Sequence, residues 1–134
     1  MTRAALAASL VLTVASPARA FDPAVDYVVH CQGCHLADGR ATPGSVPALA
    51  GAVARLARTP AGRDYMGRVP NVAQAPLSDA ELAALLNWVV QRFGGEAAAS
   101  FTPYVADEIA ELRARPLVDV EAARRALLPD SARP

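Results

Sequence analysis

Residues 31–35 of this 134-residue chain have the sequence Cys-Gln-Gly-Cys-His. They contain both cysteines of the chain and one of its two histidines. Two thiols at this spacing, followed at once by an imidazole, are typical of a c-type haem attachment site. In such a site the sulfur atoms form thioethers with the porphyrin vinyl groups, and the histidine ligates the iron. The motif therefore predicts a chain that folds around one covalent haem.

Other uses of paired cysteines fit the sequence less well. A thioredoxin-like Cys-x-x-Cys requires a βαβ context, whereas the residues around Cys31 and Cys34 predict helix and loop. A structural disulfide would not need His35. A zinc site needs four ligands, and the chain has only two cysteines and two histidines. We therefore predict one haem c per chain, bound through Cys31, Cys34 and His35.

Residues 1–20 have the pattern of a secretory signal peptide. Arg3 supplies the positive charge, residues 4–15 are mainly apolar, and residues 18–20 form an Ala-x-Ala cleavage pattern. An uncleaved anchor is the alternative, but the apolar run is shorter than the roughly 20 residues that span a bilayer. We predict cleavage after Ala20, no membrane span in the remaining chain, and a protein located in the bacterial periplasm.

Helical periodicity and capping residues predict an all-α chain with two long irregular stretches, over residues 36–51 and 62–76. The predicted helices begin at Pro23, Ala52, the capping box of residues 78–81, Pro103 and Asp119. Only 5% of the residues are aromatic. Long loops bury little apolar surface, so a large bound group that the loops could surround would explain how this chain forms a core.

Over residues 23–93 the chain resembles the class I monohaem cytochromes c. The resemblance rests on a helix ending in residues 31–35, on residues 44–51 (Gly-Ser-Val-Pro-Ala-Leu-Ala-Gly), and on residues 77–82 (Leu-Ser-Asp-Ala-Glu-Leu) with Trp88. It implies a small helical domain wrapped around the haem. It also implies that the Pro47 carbonyl accepts a hydrogen bond from His35, which would orient the imidazole. A contact between Tyr27 and Trp88 would join the first and last helices of that domain.

The resemblance further implies a distal methionine as the sixth iron ligand, and Met66 is the methionine that remains after leader removal. His30 adjoins Cys31 on the tethered side and is not expected to reach the distal face. A second interpretation of Met66 is that it packs inside a short helix. The iron would then be five-coordinate, or bound by a weaker donor such as Asn71 or Gln74.

Beyond residue 95 the resemblance ends. We divide the chain into a signal peptide at 1–20, a cytochrome c domain at 21–95 and a C-terminal helical extension at 96–134. The apolar stripes of the extension favour packing on the domain over a docking surface for a partner. Arg40, Arg63 and Arg68 lie in loops expected near the haem, where they would either bind a propionate or remain solvated.

These features together predict a periplasmic carrier of single electrons rather than an enzyme. The expected partners are periplasmic redox proteins, either a dehydrogenase or a terminal oxidase, and the expected state is a monomer. Thirteen basic and thirteen acidic residues leave no basic excess for binding nucleic acid. Two alternatives stay open: an open-site haem protein that binds a small gas or reduces peroxide, and a haem subunit of a larger dehydrogenase complex.

Overall fold

The computed structural model describes residues 21–42 and 46–128, and all regular structure within these ranges is helical, which confirms the predicted all-α class. The predicted leader (1–20), Gly44 and Ser45 of the proline-containing loop, and the end of the extension (129–134) lie outside the described residues. Within those residues, no helix combines the length and apolar character needed to cross a membrane. The helices are α1 Pro23–His30, α2 Gln32–His35, α3 Val53–Ala57, α4 Pro60–Arg68, α5 Pro70–Ala73, α6 Asp79–Phe93, a 3₁₀ helix Gly95–Ser100, α7 Ala106–Arg113 and α8 Val120–Leu127.

Three helices begin at the polar caps that the sequence predicts. The Asp22 carboxylate accepts a hydrogen bond from the Ala24 N–H at 2.9 Å, and Asp119 accepts one from the Ala122 N–H at 2.8 Å. At the start of α6, the side chains of Ser78 and Glu81 form a complete capping box. These bonds satisfy amide groups that have no partner within the helix, so the position of each helix start is set locally.

The prediction of an irregular stretch over residues 62–76 was wrong, because α4 and α5 occupy most of it. Pro60 and Pro70 each stand in the first helical turn, where a missing N–H costs nothing, and so they begin helices. Thr59 caps α4 by accepting a hydrogen bond from the Gly62 N–H at 3.1 Å. Gly67 allows close packing, since a Cβ atom there would lie 2.6 Å from a side-chain atom of Leu112.

Helix α7 begins at Ala106, three residues later than the predicted start at Pro103. The reason is a pair of hydrogen bonds between the Asn87 side chain on α6 and the backbone of Tyr104. The Tyr104 N–H donates to Asn87 Oδ1 at 2.7 Å, and Asn87 Nδ2 donates to the Tyr104 carbonyl at 2.9 Å. This contact occupies the backbone groups of Tyr104, which therefore remains outside the helix.

Helix α6 is the centre of the core and packs against α1, α3 and α7. Its buried face consists of Leu82, Ala83, Leu85, Leu86, Val89, Val90 and Phe93. The expected contact between Tyr27 on α1 and Trp88 on α6 is present, with ring centroids 5.3 Å apart. The Phe93 ring lies 5.1 Å from that of Tyr27 and completes an aromatic cluster. Helix α1 turns Tyr27 inward and leaves Val25, Val28 and Val29 exposed.

Residues of the extension are joined to the preceding helices by apolar burial and by arginines. Ile109 and Leu112 of α7 are buried in the core cluster. The Arg113 guanidinium donates to the carbonyls of Ala73, Ala75 and Leu77 at 2.7–2.9 Å, and to the Asp79 carboxylate at 3.0 Å. One side chain of α7 thus holds the turn between α5 and α6.

We expect Arg113→Ala to lower the free energy of unfolding by about 2 kcal/mol, since it leaves several half-buried carbonyl groups without a donor. Arg115→Ala is the matched control, because the Arg115 side chain is 61% exposed and its ion-pair contact with Asp64 is 3.8 Å long. The control should lose at most about 0.5 kcal/mol. Urea unfolding followed by circular dichroism measures both variants, and equal losses would contradict the role given to Arg113.

Candidate functional site

The junction between α1 and α2 presents the Cys-Gln-Gly-Cys-His segment. Cys31 ends α1, where its N–H donates to the Tyr27 carbonyl at 2.9 Å, and its own carbonyl accepts from the His35 N–H at 3.0 Å. Leu36 then ends α2 with a positive φ of 54°. The buried Tyr27 hydroxyl donates to the Leu36 carbonyl at 2.6 Å. The aromatic cluster of the core therefore fixes the end of the segment that carries His35.

The two thiols are free and differ in their surroundings. Cys31 is half-buried, whereas Cys34 is exposed. Burial raises the pKa of Cys31 to about 11, and the nearby Cys34 adds to this shift. Both sulfur-bearing residues line one cavity together with His35. The structure thus brings the three predicted attachment and ligand residues onto one wall.

His35 has a buried nitrogen that the polypeptide does not satisfy. Its Nδ1 atom has no hydrogen-bond partner, the one such buried side-chain N or O atom among the described residues. Burial lowers the pKa of His35, and the carbonyl of Pro47 opposes this shift. The Pro47 carbonyl therefore lies near the imidazole, but it does not form a hydrogen bond of normal geometry with Nδ1. A neutral imidazole is the form that binds a metal ion.

The loop that carries Pro47 is held by Gly39. The Gly39 carbonyl accepts from the N–H groups of Leu49 at 2.8 Å and Ala50 at 3.2 Å. Gly39 has a positive φ of 74°, and a Cβ atom there would lie 2.5 Å from the Phe93 ring. Only glycine suits this backbone conformation and this close approach. Gly39 thus connects the Pro47 loop to the end of α6.

The cavity has a volume of about 400 Å³, which is in the range of cofactor sites. Most of the residues that line the cavity are apolar. They come from the Pro47 loop, from α3, α4, α5 and α6, and from residues 120–128. An apolar enclosure with thiols and a neutral imidazole on one wall matches the donor set and the hydrophobic body of haem c. The residues present therefore fit this cofactor.

Met66 on α4 lies against the cavity, as does the neighbouring Tyr65. The Met66 side chain is buried, and its Sδ atom accepts a hydrogen bond from the Tyr104 hydroxyl at 3.8 Å. Asn71 also lines the cavity, whereas Gln74 is not among its lining residues. The geometry therefore brings two of the three proposed distal donors to the site.

The three arginines considered from sequence are engaged elsewhere. Arg40 pairs with Asp38, and Arg68 pairs with Asp64 while donating to the Arg115 carbonyl. Arg63 forms a two-bond ion pair with Glu108 and stacks over the Tyr104 ring at 4.0 Å. None of these three residues lines the cavity. Arg63 and Arg68 lie on α4 and not in a loop as predicted, and the partners of the three arginines account for their charges without a cofactor.

Sequence reasoning missed two charged residues of the site, Glu121 and Arg124 of α8. Both line the cavity, and they form an ion pair with each other. Arg124 also lies close enough to Tyr65 to oppose the raised pKa that burial gives this phenol. A signal was present in the sequence, since Arg124 stands midway between Val120 and Leu128 at intervals of four residues, on one face of the predicted helix.

No protein-family model matches the chain. The chain is similar to cytochrome c-552 of Thermus thermophilus, with 32% identity over 108 residues that cover 65% of this chain and 81% of the relative. A second cytochrome c-552 from a named strain of the same species also shows 32% identity over 108 residues, which cover 72% of its length. At this identity over most of each relative's length, the chain belongs to the c-type cytochromes.

Proposed function

We propose that this protein carries single electrons in the periplasm through one haem c, attached at Cys31 and Cys34 and ligated by His35. The observation that carries the proposal is the apolar cavity lined by both cysteines and by the half-buried imidazole of His35. Haem c supplies a one-electron Fe(III)/Fe(II) couple when it is bound. The residues of the chain attach the cofactor, ligate it and keep water away from it.

Attachment requires no oxidant and releases no leaving group. Cys31 and Cys34 would hold the cofactor through two C–S bonds, each from the addition of a thiol across a vinyl C=C bond, with the thiol hydrogen taken up by the other vinyl carbon. The short helix α2 separates the two thiols by one turn and places His35 directly after the second. Pro47 is proposed as the acceptor for the remaining ring N–H of His35, which would hold the imidazole plane and raise its basicity.

Met66 is the proposed sixth ligand, because it is the methionine on the cavity wall. Its thioether sulfur favours ferrous iron and would raise the reduction potential. The apolar walls act in the same direction, since they disfavour the additional charge of ferric iron. The Tyr104 hydroxyl would hold the sulfur in place through its hydrogen bond.

Export and partners complete the proposal. Residues 1–20 would direct the chain to the periplasm and be removed. The mature protein would act as a monomer, and its partner would be a periplasmic dehydrogenase or a terminal oxidase. Sizing chromatography separates this state from a haem subunit of a larger complex, because a subunit would elute with its partners.

A second candidate function is peroxide reduction or gas binding at an open iron. It is favoured by Glu121, a carboxylate that lines the cavity and that the sequence analysis did not assign to the site. Peroxide chemistry uses such an acid–base group near the iron. This candidate requires that Met66 does not ligate iron, so one set of spectra separates it from the electron carrier.

We expect the exported protein to give a low-spin haem c spectrum, both oxidised and reduced, that carbon monoxide leaves unchanged. Iron that is ligated by both His35 and Met66 would offer no open position to the gas. Visible absorption with and without carbon monoxide measures this, and intact mass should equal the chain from Phe21 plus one haem. A high-spin spectrum that shifts with carbon monoxide would favour the second candidate function.

We expect the double variant Cys31→Ala, Cys34→Ala to lose covalent haem and to fold poorly, since the cofactor fills the cavity at the core. Haem staining on a denaturing gel measures attachment, and circular dichroism measures folding. The single variants Cys31→Ala and Cys34→Ala serve as controls, because each retains one thioether and should keep haem on the gel. A stable, folded double variant without haem would contradict the proposal that the cofactor completes the core.

We expect Met66→Leu to abolish the methionine-to-iron charge-transfer band and to lower the reduction potential. Leucine keeps the buried volume of the side chain but has no sulfur, so a packing role alone would be conserved. Asn71→Leu is the matched variant at the other distal donor and should retain the band. Loss of low-spin character in Asn71→Leu, with Met66→Leu unchanged, would assign the sixth position to Asn71.

A further inference from the structure

The cofactor of the proposed site brings two carboxylate groups to a cavity whose walls are mainly apolar. A carboxylate that leaves water without a partner is costly, and a guanidinium offers the best-matched pair of donors. The placement of arginine at the cavity therefore decides where a propionate can be held. Arg40, Arg63 and Arg68 are bound to other groups and do not line the cavity.

Among the described lining residues, Arg124 is the one with a guanidinium. Its side chain is only 16% exposed, although arginine side chains on short surface helices are usually solvated. Its Nη2 atom donates to Glu121, which leaves several of its five N–H groups available. The guanidinium is thus held beside the cavity with donors to spare.

The packing of α8 keeps Arg124 in that position. Val120, Ala123 and Leu127 pack against the core cluster, and Leu128 is buried. Helix α8 contacts α4, which carries Tyr65 and Met66. Arg124 is therefore supported on both sides by apolar contacts, and its direction does not depend on the Glu121 ion pair alone.

We propose that Arg124 binds a haem propionate and so links α8 of the C-terminal extension to the cofactor. This inference rests on the proposed function, because it requires the haem attached at Cys31 and Cys34. It assigns the extension a cofactor-binding residue in addition to its packing role. Arg125, the next residue, pairs with Glu121 from the exposed side of α8 and does not line the cavity.

The test is the pH dependence of the reduction potential of the holo-protein in Arg124→Gln and Arg125→Gln. Each variant removes one positive charge and one ion pair with Glu121 from the same helix. Loss of a propionate-bound guanidinium should move the propionate ionisation step to higher pH. It should also lower the potential near neutral pH, changing the ferric-to-ferrous ratio at fixed applied potential several-fold. Arg125→Gln should follow the wild-type curve.

The remaining ionisable residues on the cavity wall are His30, Cys31, Cys34, His35, Tyr65 and Glu121. They are identical in the two arginine variants, so the difference between the two curves isolates Arg124. Superimposable curves for Arg124→Gln and Arg125→Gln would overturn the inference and leave the proposed function standing. Absence of covalent haem in the wild-type protein would overturn both.

A second variant covers the case in which Arg124→Gln does not accumulate as holo-protein. Glu121→Gln removes the competing carboxylate and keeps Arg124, so the propionate step should move to lower pH. An unchanged step in Glu121→Gln would contradict the inference. Hydrogen exchange of α8 provides a readout that is independent of the iron, since Arg124→Gln should speed exchange at residues 120–127 more than Arg125→Gln does.

Discussion

The cavity wall is the constraint on which the rest of this structure depends. Apolar side chains from the Pro47 loop and from five helices or their ends face one space of about 400 Å³. Side chains that face a space of this size gain dispersion contacts on that side only when a large apolar group fills it. Under the proposed function, the chain would fold around a cofactor that serves as part of its own core, which would explain how so few aromatic residues suffice.

Arginine supplies much of the remaining cohesion. Arg113 crosses from α7 to three carbonyls in residues 73–77, and Arg63 joins α4 to Glu108 and to the backbone of residues 57 and 102. Backbone carbonyls at helix ends lack intrahelical partners, and a guanidinium can satisfy several at once. The irregular connections between short helices are therefore held by long side chains that belong to distant helices.

The contrast between α6 and the α4–α5 region shows what the sequence could predict. Ser78 and Glu81 define the start of α6 by contacts within four residues, and periodic leucines define its buried face, so its limits were predictable. The proline-rich stretch before it was misjudged, because proline both ends and begins helices. The Thr59 cap marks the start of α4, whereas α5 begins at Pro70 without a side-chain cap. The late start of α7 depends on Asn87, which is 17 positions from Tyr104 and therefore invisible to local patterns.

The candidate site also contains residues that local sequence patterns indicate and residues that only the tertiary structure brings together. The sequence alone could propose residues 31–35 as the attachment segment because the chemistry requires neighbouring residues, whereas Glu121 and Arg124 come to the cavity from the opposite end of the chain. Their position follows from the packing of α8 on α4. The other arginines considered for the cofactor are engaged by Asp38, Asp64 and Glu108. A polar residue on an otherwise apolar helix stripe is costly unless a partner faces it. Arg124 is such a residue, and beyond Glu121 the charge it faces would come from the group that fills the cavity. Residues 120–128 of the extension are therefore better understood as part of the cavity wall than as a module attached to it.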